Sequence, residues 1–206
     1  DVVPELLERA GNLKWISCPQ AGPRAGYYHE ALIASEVVLT NTREIYNDHI
    51  SAHIMSFLLA FARGLHVYIP QQIEANWRQG YDTIYLPEAT AIIVGVGGIG
   101  GETARLCAEF GMKVIGVDPR LDQTPPGVAE LVRPGDLASA LPQGDFVIVT
   151  VPETPETQGL FAATQFKAMK NTAFFINIGR GATVKLDDLV DALRAGEIAG
   201  DRKSGV

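Results

Sequence analysis

The sequence predicts an α/β protein built on a doubly wound parallel sheet. Three observations carry this. From Thr90 onward, short β-branched runs alternate with helical stretches, the pattern that produces parallel strands. The strongest run, Phe146 to Val151, is apolar at nearly every position, as a strand covered on both faces must be. A glycine-rich segment separates the first of these runs from the first helical stretch.

Taken in order, Pro4 to Arg9 is helical, Leu13 to Ser17 is a strand and Val37 to Thr40 is another. Between them Pro19, Gly22, Pro23 and Gly26 force a loop, followed by a short helix near His29 to Ala34. Two strands cannot hide their apolar faces alone. Residues 1–46 are therefore expected to be part of a second domain, and 47–206 a nucleotide-binding domain. Asp48 to about Trp77 is the longest helical stretch, with Ile50, Ile54, Phe57, Leu58, Phe61 and Leu65 at helical spacing and Pro70 marking a break or kink. It reads as the link between the domains. Ala91 to Val94 is a buried strand; Ile99 to Phe110 is a helix closed by Gly111; Lys113 to Val117 is the next strand. A weaker strand at Glu130 to Val132 and a short helix N-capped by Asp136 lead to Phe146–Val151. A helix at Thr164 to Met169, a strand at Ala173 to Ile178, a helix at Leu186 to Ala195 capped by Gly196, and a strand beginning at Ile198-Ala199 complete the series.

Composition narrows the function. Among 206 residues, 17 Lys and Arg face 24 Asp and Glu, a net charge of −7, and the basic residues form no run, which argues against a nucleic-acid partner. No apolar run approaches the ~20 residues that span a bilayer, so no membrane association is expected. Two cysteines, Cys18 and Cys107, are too few for a disulfide framework and fit a reducing, cytoplasmic setting. Cys107 reads as a small core residue, Cys18 as the end of a strand with some scope for reactivity.

Gly95-Val96-Gly97-Gly98-Ile99-Gly100 satisfies G-x-G-x-x-G. The motif alone is weak, but here it follows a predicted strand, opens a helix and is trailed roughly 20 residues later by Asp118, with Pro119 beside it. Gly95 permits the tight turn, Gly97 leaves room for a pyrophosphate, and Gly100 lets helix and strand pack closely. Free N–H groups at the helix start would face the anion. Asp118 is placed to accept from a ribose 2′-OH and would repel a 2′-phosphate, so NAD is favoured over NADP; Arg120, two residues on, could blunt that preference. A glycine turn that binds no ligand is the alternative. Two further loops, Val151-Pro152 to Thr157 and Ile178-Gly179-Arg180-Gly181, follow strands and should border the same crevice. Arg180 could grip a carboxylate or carbonyl oxygen through parallel donors, although a surface salt bridge explains its position equally well.

Gly95 to Gly100, Asp118, Val151-Pro152 with Thr154 and Thr157, Met169-Lys170, Asn177 to Gly181 and Ala192-Leu193 to Gly200 together resemble the NAD-binding half of the D-isomer-specific 2-hydroxyacid dehydrogenases. The likeness extends upstream to Leu39-Thr40-Asn41-Thr42, Ala52-His53 and Trp77. It implies a Rossmann-type sheet, a fragment of a flavodoxin-like α/β substrate domain, a homodimer to which the 48–77 helix contributes, and hydride transfer between nicotinamide and a small D-2-hydroxy or 2-oxo acid. Such enzymes use an arginine, a glutamate and a histidine. The arginine maps onto Arg180, which would orient substrate and polarise its carbonyl; Ala21 and Gly22 fall in the loop that presents backbone N–H groups to the substrate, where Pro23 removes one donor and Arg24 could compensate. The glutamate and histidine would follow the equivalent of Gly200, where this chain reads Asp201-Arg202-Lys203-Ser204-Gly205-Val206. With Asp1 rather than Met first, the expectation is an incomplete fragment, with a non-catalytic NAD(H)-binding module as the alternative. His29, His49, His53 and His66 all precede the nucleotide fold and none occupies the proton donor's place. His49 and His53, four apart, read as packed or solvated and no metal is expected. Glu44 and Glu153 stand where the family commonly has a glycine and an apolar residue.

Overall fold

The computed structural model describes residues 3–19, 26–120 and 122–203. The chain divides into two compact units, Asp1–Tyr46 and Asn47–Val206.

The first unit holds helix α1 (Pro4–Arg9), strand β1 (Trp15–Cys18), helix α2 (Glu30–Ile33) and strand β2 (Val38–Asn41). The strands pair in parallel, Trp15 opposite Val38 and Cys18 opposite Asn41, and the Trp15 indole N–H donates to Thr40 Oγ1 at 2.9 Å. His29 caps α2, its Nδ1 accepting from the Leu32 amide. Cys18 and Leu32 are buried while Trp15, Ile33 and Val38 stay exposed, as expected of a sheet too narrow to cover its own face. Glu44 holds a φ of +75°, a left-handed conformation that only glycine adopts at little cost. The expected substrate loop at Ala21 and Gly22, with Pro23 and Arg24, lies outside the described residues.

The second unit begins with α3 (Asn47–Ala62) and α4 (Leu65–Ile73). The expected single helix breaks, but at Gly64 rather than Pro70. Gly64 takes a φ of +69° and N-caps α4, and the two helices bend by 72°. A side chain at Gly64 would collide with the Tyr81 ring, which packs across the turn, whereas Pro70 sits inside α4 at the loss of one helical hydrogen bond. Trp77 lies beyond the end of α4. The remaining elements are β3 (Thr90–Val94), α5 (Gly98–Glu109), β4 (Lys113–Val117), β5 (Glu130–Val132), α6 (Leu137–Ala140), β6 (Phe146–Val149), α7 (Ala163–Ala168), β7 (Phe174–Asn177), α8 (Leu186–Ala195) and β8 (Gly200–Lys203). Asp136 occupies the N-cap position of α6, but its side chain makes no capping bond.

Six strands form one sheet in the order β5-β4-β3-β6-β7-β8, and every pairing is parallel. Alternate residues feed two cores. Ala91, Ile93, Val114, Phe146, Ile148 and Ile176 pack with α3 and α5; Ile92, Val94, Ile115, Val147, Val149 and Phe175 pack with α6, α7 and α8. Ile54 and Leu58 of α3 are fully buried. Each contributes about 2 kcal/mol, so docking rather than intrinsic propensity holds this helix. No single helix among the described residues is long and apolar enough to cross a membrane; α3 and α4 reach that length only as a bent pair.

In the second unit two strand ends differ from expectation by two residues. β6 stops at Val149 rather than Val151 because both neighbours end there: Val149 lies opposite Val94 and Asn177, the last residues of β3 and β7; beyond it the Thr150 hydroxyl donates to the Gly95 carbonyl at 2.5 Å. β8 starts at Gly200 rather than Ile198, whose side chain is buried beneath α8 in the second core. Asp145 ties the sheet to the α7–β7 turn: its Oδ2 accepts from the Thr90 amide at 2.8 Å and its Oδ1 from Lys170 Nζ at 2.7 Å.

Candidate dinucleotide site

The strand order reverses between β3 and β6, so the loops leaving their carboxyl ends flank a crevice at the switch point. Gly95 leaves β3 with a φ of +92°, and a Cβ there would lie 2.8 Å from Val151 Cγ1. A Cβ on Gly100 would lie 2.0 Å from the Gly95 carbonyl oxygen. The first turn of α5 therefore rests directly on the strand end. Gly101 N–H donates to the Gly97 carbonyl at 2.7 Å, leaving Gly98, Ile99 and Gly100 as the orphan donors of the helix start. Space opens above Gly97, where the nearest atom to a Cβ is Arg120 Nη2 at 3.9 Å. An unfilled hollow over orphan N–H groups fits a phosphate anion. The Ile99 carbonyl accepts from Ser51 Oγ at 3.0 Å and Thr103 Oγ1 at 2.8 Å, which fastens α5 to α3.

Asp118, at the end of β4, is buried. Its carboxylate accepts from the Val96 and Arg120 amides, each at 2.9 Å, and from the Arg120 guanidinium. Burial alone would raise its pKa, but the Arg120 side chain and the two amides outweigh that and hold it below the usual carboxylate range. The Pro119 carbonyl accepts from Arg133.

On the other side of the switch point, Thr157 Oγ1 donates to the Pro152 carbonyl at 2.6 Å and accepts from the Thr154 amide at 2.8 Å, closing the loop after β6. The next loop meets it: a Cβ on Gly179 would lie 2.7 Å from the Val151 carbonyl oxygen. The amides of Ile178 and Gly179 both donate to the Val149 carbonyl. Arg180 follows in extended backbone, with Nη1 donating to the Gly179 carbonyl at 3.1 Å. Gly95, Val151 and Gly179 are thus contiguous, with Asp118 and Gly97 on one flank and Arg180 on the other.

Sequence reasoning gave no individual role to four supporting residues. Asn177, buried, accepts from the Gly179 amide at 3.0 Å and donates to the Arg180 carbonyl at 3.2 Å; Thr183, also buried, donates to that carbonyl at 2.6 Å. Thr150 anchors the Gly95 carbonyl. Asn47, opening α3, stands where a Cβ on Gly98 would fall, 2.5 Å from its Nδ2. Thr150 and Asn177 carry a usable signal, a polar residue ending an otherwise apolar strand; Asn47 carries none.

The histidines lie elsewhere. His49 is exposed and its Nδ1 meets Asp48 Oδ1 at 2.9 Å, which raises the His49 pKa and lowers that of Asp48. His53 is exposed and packs edge-on against Phe57; His66 sits among the rings of Phe61, Tyr81 and Phe174. Among the described residues no cluster of three or more His, Cys, Asp or Glu could hold a metal ion. Cys107 is buried against Met55, and burial pushes its thiol up to about 12.

Residues 55–201 match the model of the D-isomer specific 2-hydroxyacid dehydrogenase NAD-binding domain. The chain is 35% identical over 208 residues to a human glyoxylate reductase/hydroxypyruvate reductase, covering 94% of this chain and 60% of the relative. It is similar to a structure of an NADPH-dependent glyoxylate/hydroxypyruvate reductase from Sinorhizobium meliloti in complex with NADP and sulfate, with a TM-score of 0.84 at 28% identity over 97% of this chain and 63% of the other. The fold also matches a D-lactate dehydrogenase from Aquifex aeolicus, with a TM-score of 0.86 at 23% identity over 98% of this chain and 60% of the other. The chain thus spans about 60% of the length of the human relative it matches. With its parallel sheet, its glycine loop at the switch point and a family match over most of its length, the chain belongs to the D-isomer specific 2-hydroxyacid dehydrogenase family.

Proposed function

We propose that this chain supplies the cofactor site and one substrate-binding arginine of an NAD(P)-dependent oxidoreductase acting on a small D-2-hydroxy or 2-oxo acid. The observation that carries the reading is the continuous band from Asp118 through the glycine loop to Val151, Gly179 and Arg180 at the carboxyl ends of parallel strands. When bound, the nicotinamide gives or takes a hydride at the substrate's C2. Gly95, Gly97, Gly98, Ile99 and Gly100 hold the pyrophosphate; Asp118 and Pro119 border the adenosine; Val151, Pro152, Thr157, Ile178 and Gly179 line the floor toward the nicotinamide. Arg180 pairs with the substrate carboxylate or carbonyl oxygen, its backbone fixed by Asn177 and Thr183. A guanidinium so placed stabilises negative charge as it develops on the carbonyl oxygen. Residues 1–46 belong to the substrate domain. Glyoxylate and hydroxypyruvate are the first substrates to test, because the human and Sinorhizobium relatives carry those names.

The test combines NADH titration by fluorescence with an NADH-oxidation screen over glyoxylate, hydroxypyruvate, pyruvate and phenylpyruvate. NADH binding with turnover on one of them supports the reading. Binding without turnover fits a chain that supplies the cofactor site and one of the three catalytic side chains as well as it fits an NAD(H)-binding module, and no binding overturns both. Arg180→Lys should keep NADH binding and lose most turnover, since an ammonium cannot form the two parallel bonds; undiminished turnover sinks the role given to Arg180.

A homodimer in the cytoplasm completes the proposal. Exposed Leu65, Ile69, Ile73, Trp77 and Tyr85 on and after α4 offer an apolar surface of the kind a second copy covers, and both cysteines are free. Light scattering of the wild type and of Ile73→Ser tests the assembly: a monomeric wild type refutes it.

A further inference from the structure

Gly98 opens α5 without a left-handed backbone, so its own dihedrals do not call for glycine. The Asn47 side chain does. A Cβ on Gly98 would lie 2.5 Å from Asn47 Nδ2, 2.7 Å from Oδ1 and 2.8 Å from Cγ. The carboxamide therefore fills the place of the missing side chain and turns its polar edge, rather than its carbon, to the start of α5. Every Cα–Cβ bond of a helix tilts toward the N-terminus. A group standing at the Cβ position of the first helical residue thus stands at the end where the orphan N–H groups of Gly98, Ile99 and Gly100 point.

Asn47 is held there by the backbone of another helix. It is the first residue of α3, and Ser51, one turn on, lies on the same helical face. Ser51 and Thr103 are fully buried, and both donate to the Ile99 carbonyl, at 3.0 and 2.8 Å. These bonds fix the register of α3 against the first turn of α5. Asp48, the next residue, uses its carboxylate locally, accepting from the His49 amide at 2.8 Å. Asn47 does not: among the described residues neither Nδ2 nor Oδ1 has a hydrogen-bond partner, although the side chain is half-buried.

Resting on the dinucleotide reading of the glycine loop, we propose that Asn47 is a further ligand residue of that site, donating from Nδ2 to the diphosphate. Covalent geometry places Nδ2 within about 5 Å of the Gly98 amide nitrogen. Hydrogen bonds of about 2.9 Å let two donors so spaced meet oxygens of one phosphate. The carboxamide adds two N–H donors to those of the helix start, and it brings no charge of its own. Gly98 is glycine to admit it.

Calorimetric titration with NADH and with ADP-ribose, which keeps the diphosphate and lacks the nicotinamide, tests the assignment. The proteins are the wild type, Asn47→Ala, Asn47→Asp, Gly98→Ala and the Asn47→Ala/Gly98→Ala double variant, with thermal melts to verify folding. Asn47→Ala should weaken both ligands by the same factor, roughly tenfold, the value of a hydrogen bond to a charged group. Asn47→Asp keeps the shape but sets a carboxylate against the anion, and should weaken both roughly a hundredfold. In Gly98→Ala the new Cβ meets the end of a flexible side chain rather than backbone, so it should drive the carboxamide out, match Asn47→Ala in binding, and add nothing further in the double variant. Wild-type affinity in the Asn47 variants, a loss confined to NADH, or additive losses in the double variant would each overturn the role of Asn47 and leave the dinucleotide reading standing. A wild type that binds neither ligand sinks that reading, and the role of Asn47 with it.

Discussion

Gly100→Ala provides the sharpest test of the way α5 rests on β3. An added Cβ would lie 2.0 Å from the Gly95 carbonyl oxygen and 2.8 Å from Thr150 Oγ1, where real Cβ contacts under 3.0 Å are essentially unknown. Relief requires a movement of at least 1 Å. The obstacle is backbone, and it is pinned: the Gly95 amide donates to the Val117 carbonyl at 2.8 Å, while its carbonyl accepts from Thr150 at 2.5 Å. Overpacking of this kind costs about 3 kcal/mol. Alanine recovers about 1 kcal/mol over glycine within a helix, leaving a net loss of about 2 kcal/mol and a melting temperature lower by about 4–8 °C for a chain of this size. The neighbouring Gly101→Ala is the control, because its Cβ meets nothing within 4 Å; helix propensity alone should then raise the melting temperature by about 2–4 °C. Calorimetry of both variants reads the difference in sign. NADH titration reads the consequence for the site, where displacing the loop should weaken binding roughly tenfold or more in Gly100→Ala. A Gly100→Ala protein that melts at or above the wild type and binds NADH equally well would refute the close-packing argument.

Asn177→Leu should cost about 1–3 kcal/mol in urea unfolding, because it removes two hydrogen bonds of about 1 kcal/mol each, to the Gly179 amide and the Arg180 carbonyl, which keep their other partners Val149 and Thr183; an unchanged midpoint would show that Asn177 does not hold this loop. Cys107, with its thiol pushed up to about 12 by burial, should react with a thiol reagent at pH 8 only after unfolding, so rapid native labelling at this position would contradict its burial. Asp118 has a depressed folded pKa, so its contribution to stability is complete above the unfolded value of about 4 and is lost as pH falls through the folded one. The urea-midpoint gap between wild type and Asp118→Asn should therefore be level from pH 8 to 5 and close in stronger acid; a gap that widens on acidification has the wrong sign.

Local patterning settled a good deal before any contact was known. Unbroken apolar runs at β3, β4, β6 and β7 can only be strands covered on both faces, and alternation with helical stretches requires them to be parallel. Gly95, Gly97 and Gly100 were legible because steric need for glycine is written residue by residue, and Asp118 because its spacing from them is that of a strand–helix–strand unit. Contacts distant in sequence decided the rest. Pro70 is the stronger helix breaker on paper, but the packing of Tyr81 across Gly64 put the bend there. Thr150 and Val151 favour β structure by type, yet β6 ends before them because its neighbours β3 and β7 end opposite Val149, at Val94 and Asn177. Arg120 and Asp118 are two residues apart and visible to any reader. That the guanidinium closes over the carboxylate rather than pointing into solvent depends on where β4 ends and how far Gly97 lies open. The sequence by itself determined which residues could bind a dinucleotide, because strand, helix and turn follow from local sterics and periodicity; only the tertiary structure decided which of those groups already have partners, because hydrogen-bond saturation is a property of atoms brought together from different strands.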